Sequence, residues 1–154
     1  ARGQDRSRAN ILRSLHVSAL AFFLFSYHVH EQGLLVPLYP LLPLSLAERD
    51  YAAAFSLLSA FTLLPLLQYE GLALAYGASV ALYVLAWYDH KPRRAFAAFA
   101  GLVPLHFMPL VVPPPARYPD LYPALVALLG AAGFGLAYAA VALHELKPWR
   151  RKLD

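Results

Sequence analysis

Six stretches of this chain contain no Asp, Glu, Lys or Arg: residues 14–30, 32–47, 51–69, 71–88, 95–116 and 121–144. They run from 16 to 24 residues and leave all 22 charges of the 154-residue chain to the short segments around them. A helix crossing the hydrocarbon core of a bilayer needs roughly 20 predominantly apolar residues, with a range of about 17–25. The sequence therefore predicts an all-α polytopic membrane protein, a single helical domain over residues 1–154 with about six transmembrane helices. Composition agrees, with 60% apolar and only 14% charged residues where soluble domains carry about 25% charge. Such apolar content excludes a disordered tail, and the absence of Cys excludes a secreted disulfide scaffold.

A net charge of +4 suggests a nucleic-acid partner until the positions are considered. The basic residues sit between the apolar stretches, where membrane topology accounts for them. If the chain crosses at every stretch, Arg2, Arg6, Arg8, Arg13, Arg49, Lys91, Arg93, Arg94, Lys147, Arg150, Arg151 and Lys152 share one side. Arg117 is then the one basic residue on the other side. Lys and Arg concentrate on the cytosolic side of membrane proteins, so both ends of the chain are expected in the cytosol. The turns near His30, Glu70 and Pro115 are expected to face the opposite compartment.

The stretches differ in quality. The sixth, Leu121–His144, offers small-residue faces at Gly130, Gly133 and Gly135 for close helix contact, and Tyr122, Tyr138 and Trp149 flank it as interface anchors. The second carries Pro37, Pro40 and Pro43, which remove backbone donors and argue against a regular helix. It reads either as a re-entrant or kinked element beside a binding site, or as a short kinked helix. Pro113-Pro114-Pro115, before Arg117-Tyr118-Pro119-Asp120, predicts an extended, non-helical loop.

Ionisable residues at membrane depth are costly and mark candidate sites. Tyr27-His28-Val29-His30-Glu31-Gln32 closes the first stretch on the non-cytosolic side. Three alternatives stand: a metal site built from His-x-His-Glu, a wet helix end without a role, and a site for an anionic group. The first is opposed by geometry, because residues two apart on a helix point to nearly opposite faces. In the third, His30 donates to phosphate oxygens while Glu31 orients a partner. His106 reads as a satisfied interior histidine, His16 and His144 as interfacial, and Glu70 and Asp120 as solvated turn residues. No phosphate-binding loop, nucleophile elbow or zinc-protease motif is present. No complete catalytic set lies within the chain.

Phe22-Phe23-Leu24-Phe25-Ser26-Tyr27-His28-Val29-His30-Glu31-Gln32 resembles the F-L-F-x-x-x-V-H-E-K signature of the dolichyl-phosphate-glucose α-1,3-glucosyltransferases of the endoplasmic reticulum. Phe61-Thr62-Leu63-Leu64-Pro65-Leu66-Leu67 and Arg117-Tyr118-Pro119-Asp120-Leu121 are similar to later pieces of the same region, in the same order. Gln32 departs from the family's Lys. Two sister enzymes share the signature, adding the first and the second glucose. His28-Val29-His30 and Tyr118-Pro119 are more similar to the second, and Pro119-Asp120-Leu121 to the first; the second is favoured.

The resemblance implies a GT-C fold, with this chain as the C-terminal membrane part. It implies transfer of glucose from dolichyl-phosphate glucose to the lipid-linked oligosaccharide of protein N-glycosylation. The reaction is implied to be inverting and to use no metal or other cofactor. A carboxylate base, expected upstream of this chain, deprotonates a sugar 3-hydroxyl that attacks C1 of glucose as dolichyl phosphate departs. The chain alone is then expected to be inactive. His28, His30 and Glu31 become substrate-binding candidates, with His30 stabilising charge on the departing phosphate. The implied location is the endoplasmic-reticulum membrane, with the bilayer and the two lipid-linked substrates as partners and no nucleic acid. The competing alternative is a non-catalytic membrane subunit or transporter segment, in which His28, His30 and Glu31 form a proton relay. The tail Arg151-Lys152-Leu153-Asp154 resembles a di-lysine retrieval signal, or else anchors the sixth span at the interface.

Overall fold

The structure is a computed structural model that describes residues 2–26, 31–45, 48–87, 97, 100–101 and 104–150. The described residues contain helices and connecting turns only. In chain order these are α1 (Arg2–Phe25), a short 3-10 turn (Glu31–Leu34), α2 (Leu35–Leu44), α3 (Arg49–Tyr69), α4 (Ala73–Trp87), α5 (Pro104–Val111) and α6 (Leu121–Arg150). Residues 97, 100 and 101 are also helical. The chain divides into two compact units, Ala1–Glu48 with Gly133–Asp154, and Arg49–Ala132.

In the first unit α1 packs against α2. Buried His16 and Leu20 lie one turn apart on α1, and Leu34, Pro37, Leu41 and Leu44 are buried on the facing segment. The opposite side of α1 is also apolar, with Ile11, Leu15, Phe22 and Phe25 exposed by 53–79%. A soluble amphipathic helix would place charge there. The second half of α6 meets the end of α1 through two edge-to-face aromatic pairs, Phe23 with Phe134 at 5.6 Å and Phe25 with Tyr138 at 6.0 Å.

Of the two forms that its three prolines leave open, α2 takes that of a short helix. Leu34 is its N-cap, so Pro37 falls in the first turn, where its missing N–H has no intrahelical acceptor to serve. Pro40 and Pro43 lie inside the helix, and each leaves the carbonyl four residues earlier, Val36 and Tyr39, without its usual donor. The helix survives but stops at ten residues. That is about 15 Å, half the roughly 30 Å of a bilayer core.

The second unit is built on an α3–α4 hairpin. Ala53, Leu57, Phe61 and Leu64 form a buried stripe at helical spacing on α3. Gly71 adopts φ +75°, a conformation that disfavours any side chain. Around it the Leu72 N–H donates to the Leu67 carbonyl at 2.7 Å and the Gly71 N–H to the Gln68 carbonyl at 3.1 Å. This is the Schellman pattern, which satisfies the last carbonyls of α3 and lets α4 start two residues later. After α5, residues 112–120 leave the helical path, as their prolines predict. Tyr122 is buried and its hydroxyl donates to the Val112 carbonyl at 2.8 Å, so it ties both ends of this loop together rather than anchoring an interface.

Among the described residues two helical segments are long and apolar enough to cross a membrane, Arg49–Tyr69 and Leu121–Leu143. They coincide with the third and sixth charge-free stretches. The second and fourth stretches form shorter apolar helices, Leu35–Leu44 and Ala73–Ala86. On α6 the buried positions Tyr122, Val126, Gly130, Phe134 and Val141 recur at helical spacing, so Gly130 does lie on a packed face. Gly135 does not, since no atom lies within 4 Å of where its Cβ would stand.

Candidate functional site

The candidate residues follow α1 in the chain and lead into the 3-10 turn before α2. Phe25 is the last residue of α1, and the Ser26 N–H still donates to the Phe22 carbonyl at 3.0 Å. His28 and His30 lie outside the described residues. Glu31 begins the 3-10 turn, which runs without a break into α2; its side chain, like those of His106 and His144, lies outside the described part. The tail Arg151–Asp154 lies outside it too. Among the described residues no three His, Cys, Asp or Glu side chains are grouped as metal ligands.

What the structure does place is a pair of links from α1 to the segment that follows. His16 is 1% exposed rather than interfacial, and its Nδ1 lies 2.7 Å from the Pro37 carbonyl oxygen. A carbonyl oxygen can only accept, so Nδ1 carries the hydrogen. Three residues earlier, Arg13 pairs through Nε with Glu48 beyond the far end of α2, both side chains about three-quarters covered. Arg13 also donates to the Asn10 side chain at 3.1 Å. Sequence reasoning missed both links. A signal for His16 existed: it stands four positions before Leu20, on the face α1 buries.

The 112–120 loop is the other polar feature on the expected non-cytosolic side. Its Tyr118 N–H donates to the Pro115 carbonyl at 2.8 Å and the Leu121 N–H to the Tyr118 carbonyl at 3.2 Å. The Arg117 guanidinium lies 5.7 Å from the Tyr118 ring centroid, within cation–π range. Glu70 and Asp120 are exposed turn residues, as expected. Between α3 and α4 lies a cavity of about 240 Å³ whose lining includes Leu57, Leu63, Leu67 and Val80 beside Tyr76 and Tyr83. Its Ser79 hydroxyl is turned onto the Ala75 carbonyl at 2.8 Å, which leaves the walls largely apolar.

Residues 3–141 match the profile of the ALG6, ALG8 glycosyltransferase family. The chain belongs to this family. A fission-yeast (Schizosaccharomyces pombe) relative, the probable dolichyl pyrophosphate Man9GlcNAc2 alpha-1,3-glucosyltransferase, is 33% identical over 76% of this chain. The Drosophila melanogaster protein of the same name is 31% identical over 86% of it. The chicken (Gallus gallus) dolichyl pyrophosphate Man9GlcNAc2 alpha-1,3-glucosyltransferase is 29% identical over 75%. The chain spans only 25–30% of the length of these relatives. No solved structure matches it. Membership of this glycosyltransferase family, together with the two long apolar helices, makes the chain part of a membrane protein.

Proposed function

We propose that this chain is the C-terminal membrane part of a GT-C enzyme of the endoplasmic reticulum that transfers glucose in α-1,3 linkage from dolichyl-phosphate glucose to a lipid-linked oligosaccharide. The observation that carries the proposal is the family match over residues 3–141. The same match favours this reading over a non-catalytic subunit or transporter segment. The acceptor in the relatives' name, Man9GlcNAc2, contains no glucose. We therefore assign addition of the first glucose, in place of the second that the double histidine favoured.

The topology proposed is six membrane-embedded segments with both ends cytosolic. It is supported by the distribution of basic residues and by the Arg13–Glu48 pair, which joins two segments assigned to the same side. Helix α2 is embedded without crossing, since its ten residues reach only about half-way. The segment that carries His28, His30 and Glu31 then belongs to the luminal side. As glucose C1 is attacked, the departing dolichyl phosphate gains negative charge. His30 donates a hydrogen bond to it and Glu31 orients the donor, while the general base comes from outside this chain.

Glucosyl transfer by the full-length enzyme carrying His30→Ala tests the role. Losing one such donor commonly lowers the rate by about 10²–10³-fold, and that loss is expected at normal expression. Transfer within a few-fold of the parent would remove His30 from the mechanism.

A further inference from the structure

The link from His16 to Pro37 has a position that the assigned chemistry does not use. We propose that His16 is a positioning residue for Glu31: its Nδ1–H, held on the Pro37 carbonyl, sets where the Glu31–Leu34 turn stands against α1. This rests on the proposed role of that turn in substrate binding.

Glu31 and Pro37 are six positions apart within one unbroken helical run, the 3-10 turn and the start of α2. A displacement of Pro37 is therefore carried to the Glu31 backbone rather than absorbed by a loop. The run is also poor in its own hydrogen bonds. Pro40 deprives the Val36 carbonyl of its donor, and Pro43 does the same to the Tyr39 carbonyl. His16 adds a donor from outside this helix, 2.7 Å from the Pro37 carbonyl and from a fully buried position. The Arg13–Glu48 pair holds the other end of the segment, so α2 is fixed against α1 at both ends. A buried apolar residue at position 16 would avoid the desolvation that a histidine incurs. What the polar residue adds is direction, because a hydrogen bond is satisfied in only one register.

The chemistry of the link supplies its own test. The amide nitrogen of Asn is bonded to Cγ, as Nδ1 is in His, so His16→Asn can keep the donor. In His16→Gln the amide nitrogen is one carbon further out, and His16→Phe fills the space without a donor. Each variant is made in the full-length enzyme, alone and together with Glu31→Gln, and kcat and KM for dolichyl-phosphate glucose are measured per folded enzyme. A misplacement of about 1 Å away from the chemistry can cost about 10²-fold. His16→Phe and His16→Gln are expected to lower kcat at least about tenfold, with His16→Asn within about threefold of the parent. In the Glu31→Gln background the same changes are expected to add little, since residues acting as one unit are non-additive. Equal losses in Asn, Gln and Phe variants, or additive losses with Glu31→Gln, would overturn the proposal. Should His16→Phe fail to accumulate, the contrast of Asn with Gln decides by the same criterion. A silent His16→Phe beside a damaging Glu31→Gln overturns this inference alone. A silent Glu31→Gln overturns the role of the turn, and this inference with it.

Discussion

Arg13 and Glu48, thirty-five positions apart, form an ion pair through the Arg Nε and a Glu carboxylate oxygen. Arg13 lies just before the first charge-free stretch and Glu48 just after the second, so the contact closes the α1–α2 hairpin at its charged end. Side chains 23% and 24% exposed are screened by neighbouring solvent, which keeps the coupling modest. A double-mutant cycle is expected to return about 0.5–1 kcal/mol. Arg13→Glu alone should lower the thermal stability of the detergent-solubilised full-length enzyme, and Arg13→Glu with Glu48→Arg should recover most of it. No recovery in the reversed pair would mean that the two charges are neighbours without being partners.

Gly71 and Gly77 provide a matched contrast on one hairpin. Neither has an atom within 4 Å of where a Cβ would stand, but Gly71 alone of the two has φ +75°. Gly71→Ala is expected to destabilise by about 1 kcal/mol through the left-handed backbone, and Gly71→Asn by less. Gly77→Ala, inside α4, is expected to be neutral or stabilising by up to about 1 kcal/mol. Thermal melts of the three variants in the full-length enzyme check the order. A Gly71→Ala variant as stable as the parent would contradict the Schellman turn.

Long-range charge arithmetic made the helical membrane character legible, because it depends only on how far apolar runs extend. The proline loop at 113–115 was legible for a local reason: missing donors cannot be repaired by distant contacts. For α2 the prolines leave a short helix and a re-entrant element both open, since the outcome depends on where the helix starts. Pro37 is harmless only because Leu34 is the N-cap, and a shift of one turn would have made it disruptive. His16 was misread because burial on α1 is decided by α2, and its partner is a carbonyl, which every residue possesses. Tyr122 resembled an interface aromatic by position, but its acceptor at Val112 emerges only once the loop folds back. Of the candidate site, sequence supplied the residue types, and the structure supplied the buried link from His16 to the helix that follows Glu31.

Tyr122 makes the 112–120 loop a separate target. Its hydroxyl donates to the Val112 carbonyl at 2.8 Å, and the side chain is 8% exposed. Tyr122→Phe keeps the packing and removes one hydrogen bond, a net cost of about 1 kcal/mol. The loss should be local: faster amide exchange at residues 112–121 with little change along α6. Tyr122→Ala also leaves a cavity and is expected to cost about 3–5 kcal/mol, with exchange rising in the helix as well. Uniform protection across the loop in Tyr122→Phe would show that the bond does not hold it.

The sidedness of the chain can be decided with a single covalent marker. If twelve basic residues lie on the cytosolic side and Arg117 on the other, the loop between α5 and α6 is luminal. Pro113, Pro115, Arg117 and Tyr118 are exposed there, and no helix has to be broken to extend the loop. A glycosylation acceptor inserted after Pro114 should therefore be modified in microsomes, while one appended beyond Asp154 should not. The insertion leaves the Tyr122 hydroxyl and its acceptor at Val112 unaltered in sequence, so both anchors of the loop are retained. Modification beyond Asp154 with none at Pro114 would invert the topology and move the His28–Glu31 segment to the cytosol. Modification at both positions would place the two ends of α6 on one side, and would exclude it as a crossing segment.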